Sequence, residues 1–152
     1  MVTIMKRLLV PTLAGALLFL LTTLSASAAQ GAQGKGERVK ITGEVVDSWC
    51  YITEIMYPEG SAHHQCALWC AAGGVPVGIL ADDGQVYMVL KLGSDTTNVA
   101  NPTIMKIQSH RVTVNGDLYE RDGIKYLLVA SVLQDDGIVK KTARSGYGTK
   151  TL

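Results

Sequence analysis

Five segments with strand periodicity, one short helix after the first and another after the third, and enough chain for one core predict a mainly β domain with two short helices. That order of elements is the order of an OB-fold, a five-stranded, partly open Greek-key barrel. Here the barrel carries a helical, cysteine-bearing insertion between strands 1 and 2. A six-stranded barrel or a small sandwich is the alternative arrangement.

The chain opens with the pattern of an export signal. Lys6 and Arg7 form a positive start, Leu8 to Leu24 is almost wholly apolar, and Ala26-Ser27-Ala28 is a small-residue cleavage site. Residues 1–28 are therefore read as a signal peptide cut after Ala28, with an uncleaved membrane anchor as the alternative. No cysteine follows the cleavage site, which argues against a lipoprotein. Removing residues 1–28 from the 152 leaves 124, which suits a single domain. The removed stretch takes two of the 14 Lys and Arg and none of the 13 Asp and Glu, so the remainder has no basic surplus. Nucleic acid is thus a poor fit as a partner, and a membrane is expected only through an uncleaved anchor.

Residues 29–37 are glycine-rich without large apolar side chains and read as a flexible linker. The domain is expected over 38–136. Val39, Ile41 and Val45 alternate with Lys40, Thr42 and Glu44, the period of a half-buried strand, and Gly43 suggests a bulge or bend. This strand is expected to deliver Asp47, Trp49 and Cys50 at its end. After the Pro58-Glu59-Gly60 loop, Ser61 is a candidate N-cap for a helix to about Ala72, closed by Gly73-Gly74.

Val75 to Ala81 and Gln85 to Leu92 read as a hairpin around Asp82-Asp83-Gly84, with Pro76 at a strand start or edge. Asn101-Pro102 has the form of an N-cap followed by proline at the first helical position, predicting a helix to about Gln108. Arg111 to Tyr119 alternates, Asp122-Gly123 turns, and the apolar run Ile124 to Leu133 suits a buried strand. Residues 137–152 read as a flexible tail, with Lys140, Lys141, Arg144 and Lys150 solvated.

All three cysteines and two of the three histidines lie between Cys50 and Gly78. His63, Cys66 and Cys70, at i, i+3 and i+7, share one helical face, while His64 points elsewhere and ranks second. Cys50 completes a Cys3His set if the loop folds over that face. Such donors suit zinc(II) or, through soft sulfur, copper(I). Met56 would add a thioether to a copper site, and Asp47 could orient His63 or accept backbone hydrogen bonds at the strand end.

Two other readings compete. A disulfide from Cys50 to Cys66 or Cys70 would staple the insertion and leave one buried thiol. Thiol redox chemistry is the second, with Cys66 better placed than Cys70 near the helix start. The Cys-x-x-Cys-His pattern of covalent haem is absent, which leaves non-covalent haem on His63, His64 or a cysteine. Trp49 and Trp69 are expected to cover a small core and His110 to sit in an exposed loop. No Ser/His/Asp order or paired carboxylates mark an enzyme.

The pattern Gly43-x-Val45-x-Asp47-x-x-Cys50, then His63-x-x-Cys66-Ala67-x-x-Cys70-x-x-Gly73-x-x-Pro76-x-Gly78, resembles a largely uncharacterised group of small exported bacterial proteins. Their members look like OB-fold barrels with a cysteine-bearing insertion. The resemblance covers about Val39 to Leu133 and singles out Cys50, His63, Cys66 and Cys70, but implies no particular activity. The function expected is an exported, non-enzymatic binding module handling copper, zinc or haem, with a periplasmic or membrane redox complex as the partner. Its alternatives are an interaction subunit of an exported complex and a thiol–disulfide redox protein.

Overall fold

A computed structural model describes residues 34–94 and 100–142. The fold is that of the unit Lys35–Leu152. The signal peptide and all but the last residues of the expected linker lie outside the described residues, as does the tail beyond residue 142.

Five strands and three short helices make up the described part: β1 (Glu37–Asp47), α1 (Ser48–Thr53), α2 (Gly60–Ala72), β2 (Val77–Ala81), β3 (Val86–Leu92), α3 (Pro102–Lys106), β4 (His110–Arg121) and β5 (Ile124–Ile138). The strands close into a ring in the order β1-β2-β3-β5-β4, with β4 returning to β1. Every pairing is antiparallel except β3 with β5. Inside the ring Val45, Ile79, Val89, Val112, Leu127 and Val129 form the core. Helix α3 adds Ile104, and the residue after it Ile107, to this core; the helix is held at its start by Asn101, whose side chain accepts the Thr103 and Ile104 amides.

Several expectations change in detail. One helix, α1, lies where the first strand was extended through Cys50: the strand ends at Asp47, whose carboxylate starts the helix. Gly43 makes no bulge, since it pairs in register with Ala81 on one side and Val112 on the other. Its role is close approach, because a Cβ there would stand 2.3 Å from the Leu80 carbonyl oxygen. From Gly43 onward β1 is buried on both faces, not one, because α1 and α2 pack on it. The Ile124–Leu133 run is only half buried. Leu127 and Val129 face the core while Ile124 and Leu133 are exposed, and β5 continues to Ile138.

The N-terminus of α2 differs most from expectation. Glu59, not Ser61, occupies the cap position, and it makes no capping hydrogen bond there. The first turn is satisfied instead by distant groups. Glu44 on β1, almost fully buried, accepts the Gly60 amide and an ammonium hydrogen of Lys141 at 2.9 Å. Lys141 also pairs with Glu59. The Ser61 and Ala62 amides donate to the Val139 and Lys141 carbonyls. Lys141 is thus a clamp on the cysteine-bearing helix and not part of a solvated run. Gly60 is required where this segment crosses: its φ is +60°, and a Cβ would meet the Val139 carbonyl oxygen at 2.6 Å.

Replacing Lys141 by Met leaves the Glu44 carboxylate buried without its cation. We expect the urea midpoint to fall by the equivalent of about 1–3 kcal/mol with an unchanged m-value. The Glu44→Gln/Lys141→Met double variant is expected to recover part of that loss, because the buried charge is gone. Additive losses would mean that the two groups do not act as a pair.

Candidate metal centre

The end of β1 builds the first half of the site. Asp47 has extended backbone angles, and its Oδ1 accepts the amides of Trp49 at 2.9 Å and Cys50 at 3.2 Å. This is an N-cap, of a kind that stabilises by about 1 kcal/mol, and it points the Cys50 side chain inward. Ser48 ties α1 to the start of β2 by donating its amide and hydroxyl to the Pro76 carbonyl. Pro76 stands just before the strand, as expected.

Helix α2 builds the second half. His63, Ala67 and Ala71 lie on its buried side, and the two alanines let the helix approach closely. Its C-terminus is a Schellman turn: the Val75 amide donates to the Cys70 carbonyl, the Gly74 amide to that of Ala71, and Gly74 has φ +92°. The glycine pair expected to stop the helix therefore also fixes the turn carrying Cys70.

The two halves meet at four side chains. One donor atom from each of Asp47, Cys50, Cys66 and Cys70 can be chosen so that all four lie within 4.8 Å of one another, the one such group among the described residues. Cys50 reaches the α2 cysteines, as the loop had to permit. All three thiols are free, so the expected disulfide staple is not formed. Asp47, placed in the second rank by sequence, stands within the group. His63 lies beside it, buried, with Nε2 3.6 Å from Asp47 Oδ2. Both of those atoms are buried without a hydrogen-bond partner.

The remaining candidates lie apart. His64 directs Nδ1 to the Gln108 carbonyl at 2.9 Å and stacks on His110, their ring centroids 6.3 Å apart. His110 is no exposed loop residue: it begins β4 and pairs with Asp135 at 2.7 Å. Met56 is exposed on the loop after α1. Trp49 and Trp69 cover no core, being 52% and 73% exposed.

The electrostatics of the group set two raised thiols, Cys50 and Cys70, beside an ionised carboxylate. Burial raises the Asp47 carboxyl, but the Cys70 thiol and the Cys50 amide and thiol against it outweigh that, so its pKa is lowered. Burial, then the neighbouring Asp47, pushes the Cys50 thiol up to about 12, and the same causes raise Cys70. A divalent cation reverses this, because it favours the thiolates that the carboxylate opposes.

These shifts set the pH dependence of the metal-free protein. A thiol whose folded pKa is raised contributes stability that is full below its ordinary value of 9.0 and lost as pH rises toward about 12. Asp47, with a lowered pKa, contributes above the ordinary carboxylate range and loses that contribution on acidification. We therefore expect urea stability to fall steadily above pH 9, and Cys50→Ala to flatten that fall. An unchanged slope in the variant would contradict the assignment. Comparison with known proteins finds no matching family model, curated sequence or solved structure for this chain.

Proposed function

We propose that the chain is an exported, non-enzymatic module that binds a thiophilic metal through Asp47, Cys50, Cys66 and Cys70, in the service of a periplasmic redox or metal-handling system. The observation that carries this reading is the converging donor set, with Asp47 Oδ2 buried and unpartnered at its edge. Such an oxygen is costly to bury unless something compensates it, and a cation does so. Three thiolates and one carboxylate complete a tetrahedron for zinc(II), which accepts sulfur and oxygen alike. Copper(I), the softer alternative, gains little from the carboxylate. Zinc is therefore the cation this donor set fits best.

The other parts of the reading have separate support. The ring order β1-β2-β3-β5-β4, with α3 between β3 and β4, favours the OB-like assignment and the resemblance to small exported bacterial proteins. Export rests on the signal-like residues 1–28. A second reading, an interaction subunit of an exported complex, is favoured by the exposed Trp49 and Trp69, each next in sequence to a cysteine of the group. The two are compatible, since the metal would fix the helices that present the tryptophans.

Purified protein reconstituted with zinc is expected to hold one equivalent by elemental analysis and to protect its cysteines from alkylation. Asp47→Ala and Cys70→Ser are expected to lose stoichiometric binding. His63→Phe, which removes the neighbour of Asp47 Oδ2, is expected to weaken binding about 10–100-fold in competition with a chromogenic chelator. Three freely alkylated thiols after reconstitution would contradict the metal reading.

A further inference from the structure

We propose that Cys66 and Cys50 form a thiol–disulfide exchange pair, and that closing a bond between them expels the metal. The release step rests on the metal-binding reading above. The exchange pair rests on where the three sulfurs stand.

Cys66 and Cys70 are partly exposed on α2, whereas Cys50 is 1% exposed beneath them. A small disulfide arriving from solvent therefore meets an α2 cysteine first. The two α2 cysteines cannot bond to each other on an intact helix: Cβ atoms at i and i+4 stand about 5–6 Å apart, and a disulfide needs about 3.5–4.5 Å. Any internal bond must go to Cys50 and so join α1 to α2. Both α2 sulfurs lie within the same 4.8 Å group as that of Cys50, and Cys66 stands one turn nearer the start of α2, the end of a helix that favours an attacking thiolate. Cys66 is thus the attacking sulfur and Cys50 the resolving one.

The chemistry needs one named oxidant, a low-molecular-weight disulfide such as glutathione disulfide. The Cys66 sulfur attacks one of its sulfurs, breaking the S–S bond and expelling one glutathione. The Cys50 sulfur then attacks Sγ of Cys66 in the mixed disulfide and expels the second. Two protein sulfurs are oxidised and one glutathione disulfide is reduced. In the metal-free protein the two thiol protons end on the two glutathiones. In the zinc-loaded protein those sulfurs carry no protons, so the glutathiones leave as thiolates and zinc leaves as the divalent ion. Cys70 and Asp47 remain, and two donors do not hold zinc in a closed tetrahedral site.

The test exposes full-length protein, zinc-loaded and metal-free in parallel, to glutathione disulfide. Peptide mapping reads the linkage, and a chromogenic chelator reads released zinc. The expected result is a Cys50–Cys66 linkage in both samples, one zinc released per bond formed, an alkylatable Cys70, and reloading after reduction with dithiothreitol. Cys70→Ala closes the same bond and Cys66→Ala closes none. A persistent glutathione adduct, or a Cys50–Cys70 linkage, in protein that binds zinc would overturn the exchange pair and leave the metal reading intact. A Cys50–Cys66 bond in protein that takes up no zinc would overturn the release step together with the metal reading, while supporting the pair.

Discussion

Asp47 divides its two oxygens between two tasks, and the rest of the site depends on that division. Oδ1 is spent on the amides of Trp49 and Cys50, which ends the strand and starts α1. Oδ2 makes no hydrogen bond and has His63 Nε2 beside it at 3.6 Å. The amides and thiols against this carboxyl keep it ionised in spite of its burial. The fold thus holds a negative group at the one place where three thiols converge. Three residues earlier on the same strand, Glu44 fixes the start of α2 through Gly60 and Lys141. Two buried acids on β1 therefore position the two helices that carry the cysteines.

Closure of the ring gives this arrangement its rigidity. Strand β1 pairs with β4 over residues 37–44 and with β2 over residues 43–47, so a register shift of the strand that presents Asp47 would break both ladders. Helix α2 contributes little amphipathic character of its own. It is held by its ends: the Glu44–Lys141 contacts at one and the Schellman turn at the other. Between them the small residues Ala67 and Ala71 set the approach distance.

Much of the fold was legible in local patterns. Val39 and Ile41, the Asp82-Asp83-Gly84 turn and the Asn101-Pro102 cap each report their element because their cause is local. The helical spacing of Cys66 and Cys70 was legible for the same reason. What the sequence hid was non-local. Ser61 looks like a better cap than Glu59, and nothing near it in sequence says that Glu44 and Lys141 serve the first turn instead. The apolar run of β5 does not reveal which alternate residues meet solvent. Trp49 and Trp69 look like core side chains and lie outside. Asp47 was undervalued because one carboxylate at a strand end is ordinarily a turn residue; its membership of the donor group depends on a helix starting there, which the strand pattern obscured.

The central claim is that the converging donors form a metal centre with Asp47 as its oxygen ligand and His63 outside it. X-ray absorption at the zinc edge of the reconstituted protein tests this most directly. The predicted spectrum has three sulfur scatterers at about 2.3 Å and one oxygen at about 2.0–2.2 Å, without the outer-shell features of a bound imidazole. A centre of three sulfurs with an imidazole nitrogen, or one with fewer than three sulfurs, would contradict it.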